Sequence, residues 1–249
     1  MIPAPPRRPR RKLRVLIASG PTREPIDPVR FISNHSTGFM GVCLANACLA
    51  RGHTVTVVSG PGCLPFAKGV DVIAIEQSRE LDAALRRRLA PADVLIMAAA
   101  VCDFRPRAVS RRKLSRRDGL TLSLVATPDI LAGLPRRRGQ VVVGFALETA
   151  DAMAHATQKR RSKRVDLIVG QRIAKGASPF GDRPLDAFLV DRIDRVTRLG
   201  VISKPRLARA ILDKIEHLWY GDVPRSTPRI PRRAVRRGRQ ASELTTGRT

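Results

Sequence analysis

The sequence predicts an α/β protein built on a doubly wound, mainly parallel sheet. Short apolar segments typical of buried strands alternate with segments whose apolar residues recur every three or four positions, as in helices. Between the first strand and the first helix lies a polar loop of some twenty residues, 19–41. Long loops in α/β units usually bind ligands, and they do so at the carboxyl ends of strands. We therefore expect a binding site at this loop.

Each element follows from its local pattern. The helix after the loop should end at Arg51-Gly52, where glycine can cap it. Right-handed crossovers then favour a parallel, three-layer, Rossmann-like sheet. The predicted elements are strands at 13–19, 54–59, 93–99, 120–125, 140–145 and 165–169, helices at 40–50, 79–90, 151–164 and 204–219, and a C-terminal antiparallel hairpin of 187–190 and 196–202. The strand at 120–125 would accompany a flap, residues 105–125.

Composition indicates one folded domain with two tails. Of the 249 residues, 43% are apolar and 27% charged, which suits a single sizeable core. Residues 1–12 and 223–249 are basic and proline-rich and have little apolar periodicity, so we expect them to be disordered and the domain to span 13–222. No apolar run approaches the roughly 18 residues that cross a bilayer. A cytoplasmic protein without a membrane partner is therefore expected.

The formal net charge of +26 raises the alternative of a nucleic-acid-binding protein. Much of the excess lies in the two tails, and none of the nine aromatic residues lies there to stack on bases. We therefore expect only nonspecific nucleic-acid contacts through the tails. Of the 47 basic residues only eight are lysines, which makes a lysine near a site informative.

Other site classes lack their sequence patterns. The four cysteines show no C-x₂-C spacing, so buried or incidental thiols are expected rather than metal ligands, although Cys102 in a site loop could be accessible to modification. The first strand is followed by Gly20-Pro-Thr-Arg instead of G-x-G-x-x-G, and the chain contains no Walker A motif. Dinucleotide-dependent and P-loop chemistry are therefore not expected.

The end of the long loop has the chemistry of an anion site. His35-Ser-Thr-Gly38 stands where the helix should begin, so unpaired backbone N–H groups would face a phosphate or carboxylate. Ser36 or Thr37 could instead be an ordinary N-cap. The rigid segment Pro25-Ile-Asp-Pro-Val-Arg30 favours a binding loop over a simple connector.

The loop and several later motifs together resemble a known family. The motifs are Thr22-Arg-Glu-Pro-Ile-Asp-Pro-Val-Arg-Phe-Ile-Ser-Asn34, Ser36-Thr-Gly-Phe-Met-Gly41, Ala98-Ala-Ala-Val-Cys-Asp-Phe-Arg-Pro106, Lys113-Leu-Ser-Arg116, Thr127-Pro-Asp-Ile-Leu131, Val143-Gly-Phe-Ala-Leu-Glu-Thr149, the pair Lys159 and Lys163, and Phe180-Gly-Asp182. In this order, over roughly residues 13–218, they resemble phosphopantothenoylcysteine synthetase, a nucleotide-dependent ligase of coenzyme A biosynthesis.

The resemblance implies a reaction and its partners. Enzymes of this family join 4′-phosphopantothenate to cysteine through an acyl-nucleotide, usually an acyl-cytidylate formed from CTP, with Mg²⁺ present. The family also implies a homodimer and a flavin-dependent decarboxylase, here on a separate chain, that acts on the product. A catalytically silent nucleotide-binding relative remains an alternative function.

The resemblance also assigns site residues. Asn34 and Lys113 would be catalytic, with Lys113 on the mobile flap, and Arg30 and Asn34 would bind substrate. Asp103 would bind the nucleotide or its Mg²⁺ through oxygen. Lys159 and Lys163, four residues apart, could clamp a triphosphate. The expected nucleotide-binding residues are Ser36, Thr37, Gly38, Ala99, Asp103, Lys113, Pro128, Asp129, Ile130, Phe145, Lys159 and Lys163.

Each assignment has a plain structural alternative. Asn34 could be a turn residue, Asp103 a cap, Phe145 a core residue, and Lys113 and the lysine pair parts of solvated basic surfaces. The chain also departs from the family pattern, because neutral residues replace two family lysines and other residues replace family asparagines and alanine. The departures are Phe39, Ser115, Thr127 and Gly170-Gln171.

Overall fold

The computed structural model describes residues 11–62, 64–116, 119–148, 151–173 and 178–221. The proposed tails therefore lie almost wholly outside the described residues. The strands are β1 Arg14–Ser19, β2 Arg23–Pro25, β3 Phe31–Ser33, β4 Thr54–Ser59, β5 Val70–Ala74, β6 Val94–Met97, β7 Phe104–Pro106, β8 Leu124–Ala126, β9 Val141–Glu148, β10 Leu167–Arg172, β11 Leu185–Asp191 and β12 Val196–Ile202. The helices are α1 Phe39–Ala50, α2 Ser78–Leu89, α3 Ile130–Gly133, α4 Ala152–Ser162 and α5 Lys204–Tyr220.

Eight strands form one central sheet in the order β12-β11-β10-β9-β6-β1-β4-β5. The pairs from β5 to β10 are parallel, whereas β11 pairs with β10 and with β12 in antiparallel fashion. This confirms the mainly parallel sheet and the C-terminal hairpin. The chain leaves β1 towards β4 and leaves β6 towards β9, so the direction of winding reverses between β1 and β6. Ligands bind at such a switch point, at the carboxyl ends of the strands.

Two apolar layers cover the sheet because its central strands bury both faces. Along β1, Val15 and Ile17 face the core beneath α1 and α5, whereas Leu16 and Ala18 face the core beneath α2, α3 and α4. Side chains that alternate between two buried faces give the continuous apolar segments seen in the sequence. The predicted three-layer arrangement is confirmed.

Two predicted features differ from the structure. The strand expected at 120–125 is the three-residue β8, which pairs with β7 at the base of the flap and is not part of the central sheet. The edge strand β5 was missed, because it is short and Asp71 interrupts its apolar pattern. No helix in the described part of the chain combines the length and apolarity required to cross a membrane.

The long loop contains a small hairpin that is fixed by one buried carboxylate. β2 and β3 pair in antiparallel fashion, and Asp27 lies in the turn between them. Its Oδ1 accepts hydrogen bonds from the backbone N–H groups of Val29 and Arg30, both at 2.8 Å. Burial would raise the pKa of Asp27, but backbone hydrogen bonds and the Arg30 guanidinium lower it well below its usual range. The loop is therefore preorganised.

Candidate functional site

A cleft of about 490 Å³ opens at the carboxyl ends of β1, β6, β9 and β10, at the switch point between β1 and β6. It is bordered by the loops 34–41 and 97–103, by 127–131 and by 179–181. Apart from Arg30 and Lys113, every residue assigned from the sequence lines it. Those residues are Asn34, Ser36, Thr37, Gly38, Ala99, Asp103, Pro128, Asp129, Ile130, Phe145, Lys159 and Lys163.

Helix α1 begins in this cleft without a side-chain cap. Gly38 is the N-cap, with φ 70°, a left-handed conformation that glycine adopts at little cost. Ser36 and Thr37, the alternative caps from sequence, do not cap the helix, although Ser36 Oγ accepts a hydrogen bond from Gly38 N at 3.3 Å. The first helical backbone bond runs from Val42 N to Gly38 O. The N–H groups before it are those that a helix leaves for an anion.

The start of α1 also lies unusually close to β1. A Cβ atom at position 41 would lie 1.9 Å from Ser19 Oγ, so only glycine fits there. Ser19 Oγ in turn donates a hydrogen bond to Gly38 O at 3.3 Å. The end of β1 therefore fixes the position of the helix N-terminus at the cleft.

Asn34 is held across the cleft by the loop that follows β6. Its Nδ2 donates a hydrogen bond to Ala100 O at 2.9 Å and lies 3.9 Å from Cys102 Sγ. With Nδ2 directed at this loop, Oδ1 is the remaining polar atom of the side chain. The partners lie far along the chain, which does not fit the alternative of a local turn residue.

Cys102 is a packing residue beneath this contact. Its thiol donates a hydrogen bond to Thr22 O at 3.4 Å, and its backbone N donates to Thr22 Oγ1 at 3.0 Å. Burial raises the pKa of the Cys102 thiol. The expectation of a buried thiol is confirmed for Cys102, and the alternative of an accessible thiol is not, because the side chain lies inside the protein and is held protonated.

Asp103 stands at the far wall of the cleft, in the loop between β6 and β7. Its backbone O accepts a hydrogen bond from Thr127 N at 2.9 Å, which fixes its position. It does not cap a helix, because β7 follows it. The described residues contain no group of three or more His, Cys, Asp or Glu side chains that could hold a metal by themselves. One carboxylate fits Mg²⁺ only if phosphate and water oxygens supply the other ligands.

Two lysines at the C-terminal end of α4 line the cleft, Lys159 within the helix and Lys163 as its C-cap, and their surroundings differ. Lys163 Nζ lies 3.2 Å from Asp129 Oδ2, and the other oxygen of Asp129 accepts from Ala132 N to cap α3. Burial lowers the pKa of Lys159 and nearby Lys163 lowers it further, against the attraction of Glu148, Asp103 and Asp129. Desolvated positive charge next to an open cleft attracts a polyanion.

Arg30 and Lys113 lie outside the cleft lining. Arg30 binds Asp27 Oδ2 through Nε at 3.0 Å and Nη2 at 2.6 Å, and its Nη2 also donates to Leu114 O at 2.7 Å. Leu114 N donates to the same Asp27 carboxylate at 3.1 Å. In this arrangement Arg30 and Asp27 hold the flap at the residue next to Lys113.

The structure adds residues that the sequence did not assign. Lys204, Phe180 and Gln171 line the cleft, and the Phe180 ring lies 6.3 Å from that of His35. Lys204 could have been noticed because lysines are scarce in this arginine-rich chain. The departure at Gly170 has a packing reason, since a Cβ there would meet the Phe188 ring at 2.1 Å.

Phe145 lies at the boundary between the core and the cleft. It is half-buried in β9, packs against the core beneath α1 and α5, and also lines the cleft. An apolar ring at this position can support a base or sugar without leaving the core.

The family model described as the DNA/pantothenate metabolism flavoprotein C-terminal domain matches residues 10–218. The chain belongs to this family. The fold is similar to the crystal structure of the C-terminal domain of the coenzyme A biosynthesis bifunctional protein CoaBC. That structure superposes on this chain with a TM-score of 0.72. The two sequences are 33% identical, and the match covers 84% of this chain and 97% of that domain.

Two curated relatives are longer than this chain. The bifunctional protein CoaBC of Escherichia coli K12 is 39% identical over 214 residues, covering 82% of this chain and 51% of the relative. A cysteine/cysteine sulfinic acid decarboxylase from an unknown prokaryotic organism is 38% identical over 206 residues, covering 81% of this chain and 57% of the relative. The chain thus spans little more than half the length of these relatives.

Proposed function

We propose that the protein is a ligase that joins 4′-phosphopantothenate to cysteine in coenzyme A biosynthesis, through an acyl-cytidylate formed from CTP. The observation that carries this proposal is the convergence of Asn34, the uncapped start of α1 and the lysines of α4 in one cleft at the switch point. Family membership and the match to the ligase-bearing half of the bifunctional relatives support it.

The proposed reaction has two steps. A carboxylate oxygen of 4′-phosphopantothenate attacks the α-phosphorus of CTP, a P–O bond forms, and pyrophosphate leaves. The amine nitrogen of cysteine then attacks the acyl carbon, the bond from that carbon to the phosphate oxygen breaks, CMP leaves, and the amine releases a proton. Mg²⁺, bound by phosphate oxygens and Asp103, would offset the phosphate charge.

The described residues suit the first step because it brings anions together. The N–H groups at the start of α1 and the ammonium groups of Lys159 and Lys163 would bind the triphosphate, and Phe145 would contact the base or sugar. Ala99, Pro128 and Ile130 would shape the nucleotide pocket, and Asp129 would act through its contact with Lys163. An arrangement fixed before binding lowers the cost of positioning the reactants.

Asn34 would position 4′-phosphopantothenate for both steps. Its Nδ2 is already committed to Ala100 O, so Oδ1 would accept a hydrogen bond from the hydroxyl or amide N–H of the substrate. A neutral amide avoids repelling the carboxylate that must attack phosphorus. Lys113, next to the Leu114 segment held by Arg30 and Asp27, would close over the phosphates when the flap moves.

The proposal extends to partners. We propose a homodimer in which the flap contributes to the interface or to the neighbouring site. The exposed side chains of Phe31, Phe104 and Leu124 on the small hairpins support such an association. A flavin-dependent decarboxylase on another chain would consume the product, and the setting would be the cytoplasm.

The test is an assay with purified protein, 4′-phosphopantothenate, cysteine, Mg²⁺ and either CTP or ATP. The proposal predicts equimolar amide product and pyrophosphate, with CTP preferred. With ¹⁸O in the substrate carboxylate, one label should appear in CMP, because the carboxylate oxygen becomes bonded to the α-phosphorus. Label in inorganic phosphate would contradict the acyl-cytidylate. An absence of amide product with both nucleotides would contradict the ligase.

A further inference from the structure

Lys204 is a buried cation with an unusual set of partners. It is the first residue of α5 and is only 4% exposed. Its Nζ donates hydrogen bonds to Pro179 O at 2.7 Å and Gly181 O at 2.6 Å. Both acceptors are neutral carbonyls, and within the described residues Lys204 makes no ion pair with a carboxylate. Its direct partners are therefore dipoles, and the nearby Asp182 carboxylate attracts its charge without forming an ion pair.

A buried ammonium without a counter-ion is costly unless something compensates it. Burial lowers the pKa of Lys204, against the attraction of Asp182. An ammonium has three donors, and the two carbonyls account for two of them. Lys204 also lines the cleft, so an anion bound there would supply both the missing charge and the missing acceptor.

The location of Lys204 relates it to the start of α1. Helix α5 packs against α1 in the same layer of the fold. Phe39 stands where the resembling family carries a lysine, and Phe39 and Lys204 line the same cleft. A cation missing at the beginning of α1 is thus present on the neighbouring helix.

Lys204 also shapes the wall of the cleft. The carbonyls that it holds flank Phe180, whose ring lies 6.3 Å from that of His35, next to Asn34. The lysine therefore connects α5 to a segment that reaches across the cleft towards the loop after β1.

We infer that Lys204 is a further nucleotide-binding residue, which holds segment 178–181 as one wall of the cleft and supplies the positive charge that Phe39 cannot. This inference rests on the proposed function, because it takes a nucleoside triphosphate as the anion. It assigns Lys204 a specific task, the binding of phosphate charge, which a purely structural lysine would not have.

The test compares Lys204→Met with wild type in the full chain, by calorimetric titration with CTP and with cytidine in the presence of Mg²⁺. The inference predicts that Kd for CTP rises about tenfold, a change of about 1.4 kcal/mol, while Kd for cytidine stays within about twofold. Lys214→Met is the matched control, since this lysine of the same helix binds Asp191 away from the cleft. It should leave both Kd values unchanged.

A second variant covers loss of folding and separates charge from shape. Lys204→Gln keeps an amide donor for the carbonyls but lacks the charge, so it should also weaken CTP binding. Adding Phe39→Lys to whichever Lys204 variant folds should return Kd for CTP to within about threefold of wild type. Equal losses for CTP and cytidine, or no rescue by Phe39→Lys, would overturn the inference. Wild-type protein that does not bind CTP would instead overturn the proposed function itself.

Discussion

The two ends of the parallel strands differ in how their charges are paired. We call the side where these strands begin the amino edge and the side where they end the carboxyl edge. At the amino edge, the fully buried carboxylate of Asp93 accepts hydrogen bonds from Arg11 at 2.8 Å, from Arg14 and from Arg137. His53 lies close by, between Leu13 N and Glu216. At the carboxyl edge, helix N–H groups and lysines border an open cleft.

This difference separates stability from binding. Paired charges at the amino edge leave nothing for a ligand, and the described residues contain no buried side-chain polar atom without a hydrogen bond. The carboxyl edge keeps donors and cations that the protein itself does not satisfy. We therefore expect substitutions at the carboxyl edge to change activity and substitutions at the amino edge to change stability.

The largest effect is expected for Asn34→Ala. Loss of the amide that positions 4′-phosphopantothenate should lower kcat/KM for amide formation by about 10²–10³-fold, as for other positioned hydrogen-bonding groups in active sites. The free energy of unfolding should change by less than about 0.5 kcal/mol, because Asn34 is exposed. Asn46→Ala, at an exposed asparagine on α1, is the control and should change neither quantity. An Asn34→Ala enzyme with wild-type kinetics would refute the assigned role.

Lys113→Gln should have the next largest effect. It should lower kcat much more than it changes Kd for CTP. If the flap closes after the nucleotide binds, kcat should fall at least about tenfold while Kd for CTP changes little. Stopped-flow kinetics measure the rate, and equilibrium titration measures Kd for CTP. Arg111→Gln, at an exposed flap residue close by, is the control. A change in Kd alone would mean that Lys113 belongs to the open cleft, which the structure does not support.

At the amino edge, Asp93→Ala should lower stability and spare catalysis. Three arginines lose their shared acceptor, but their side chains are about half exposed and stay hydrated. The expected loss is therefore about 1–3 kcal/mol in the free energy of unfolding, measured with urea. Below the transition, kcat and KM should match wild type. Asp82→Ala, which removes the exposed pair with Arg86, should cost less than about 1 kcal/mol. Loss of activity in a folded Asp93→Ala variant would contradict the expectation that substitutions at the amino edge change stability and not activity.

The smallest effect concerns His53 and pH. Burial lowers the pKa of His53 below 6.5, against the attraction of Glu216. Because the unfolded chain then binds the proton more readily, stability should fall as pH decreases below about 6.5, until the pH passes the folded-state pKa. His53→Gln should remove this part of the pH dependence, whereas His155→Gln, at a half-exposed histidine, should retain it. If stability depended on pH in His53→Gln as it does in wild type, His53 would not be the source of this pH dependence.

The same contrast explains what could be predicted from the sequence. Buried strands and amphipathic helices have periodic patterns, so β1, β4, α2 and the C-terminal hairpin were found close to their observed bounds. The residues assigned through the family resemblance line the cleft, apart from Arg30 and Lys113. Features that depend on distant side chains were not accessible from these patterns.

Three examples show the limit. The substrate role of Arg30 stays a prediction, but its contact with Leu114 O, which spans 84 residues of sequence, could not be found from a local pattern. Lys204 looked like an ordinary first residue of a helix, and only folding brings it beside the cleft. At the amino edge, the Asp93 cluster joins residues from three separate segments, which no local pattern reveals.

The most direct measurement omits cysteine and follows [α-³²P]CTP with 4′-phosphopantothenate and Mg²⁺ in a rapid-quench experiment. The account predicts that a labelled acyl-cytidylate and pyrophosphate form in one enzyme equivalent, and that added cysteine converts the intermediate to CMP and amide product. Asn34→Ala should form far less of it, whereas folded Asp93→Ala should form as much as wild type. CTP that stays intact in the wild-type reaction would contradict the claim that this cleft activates a carboxylate.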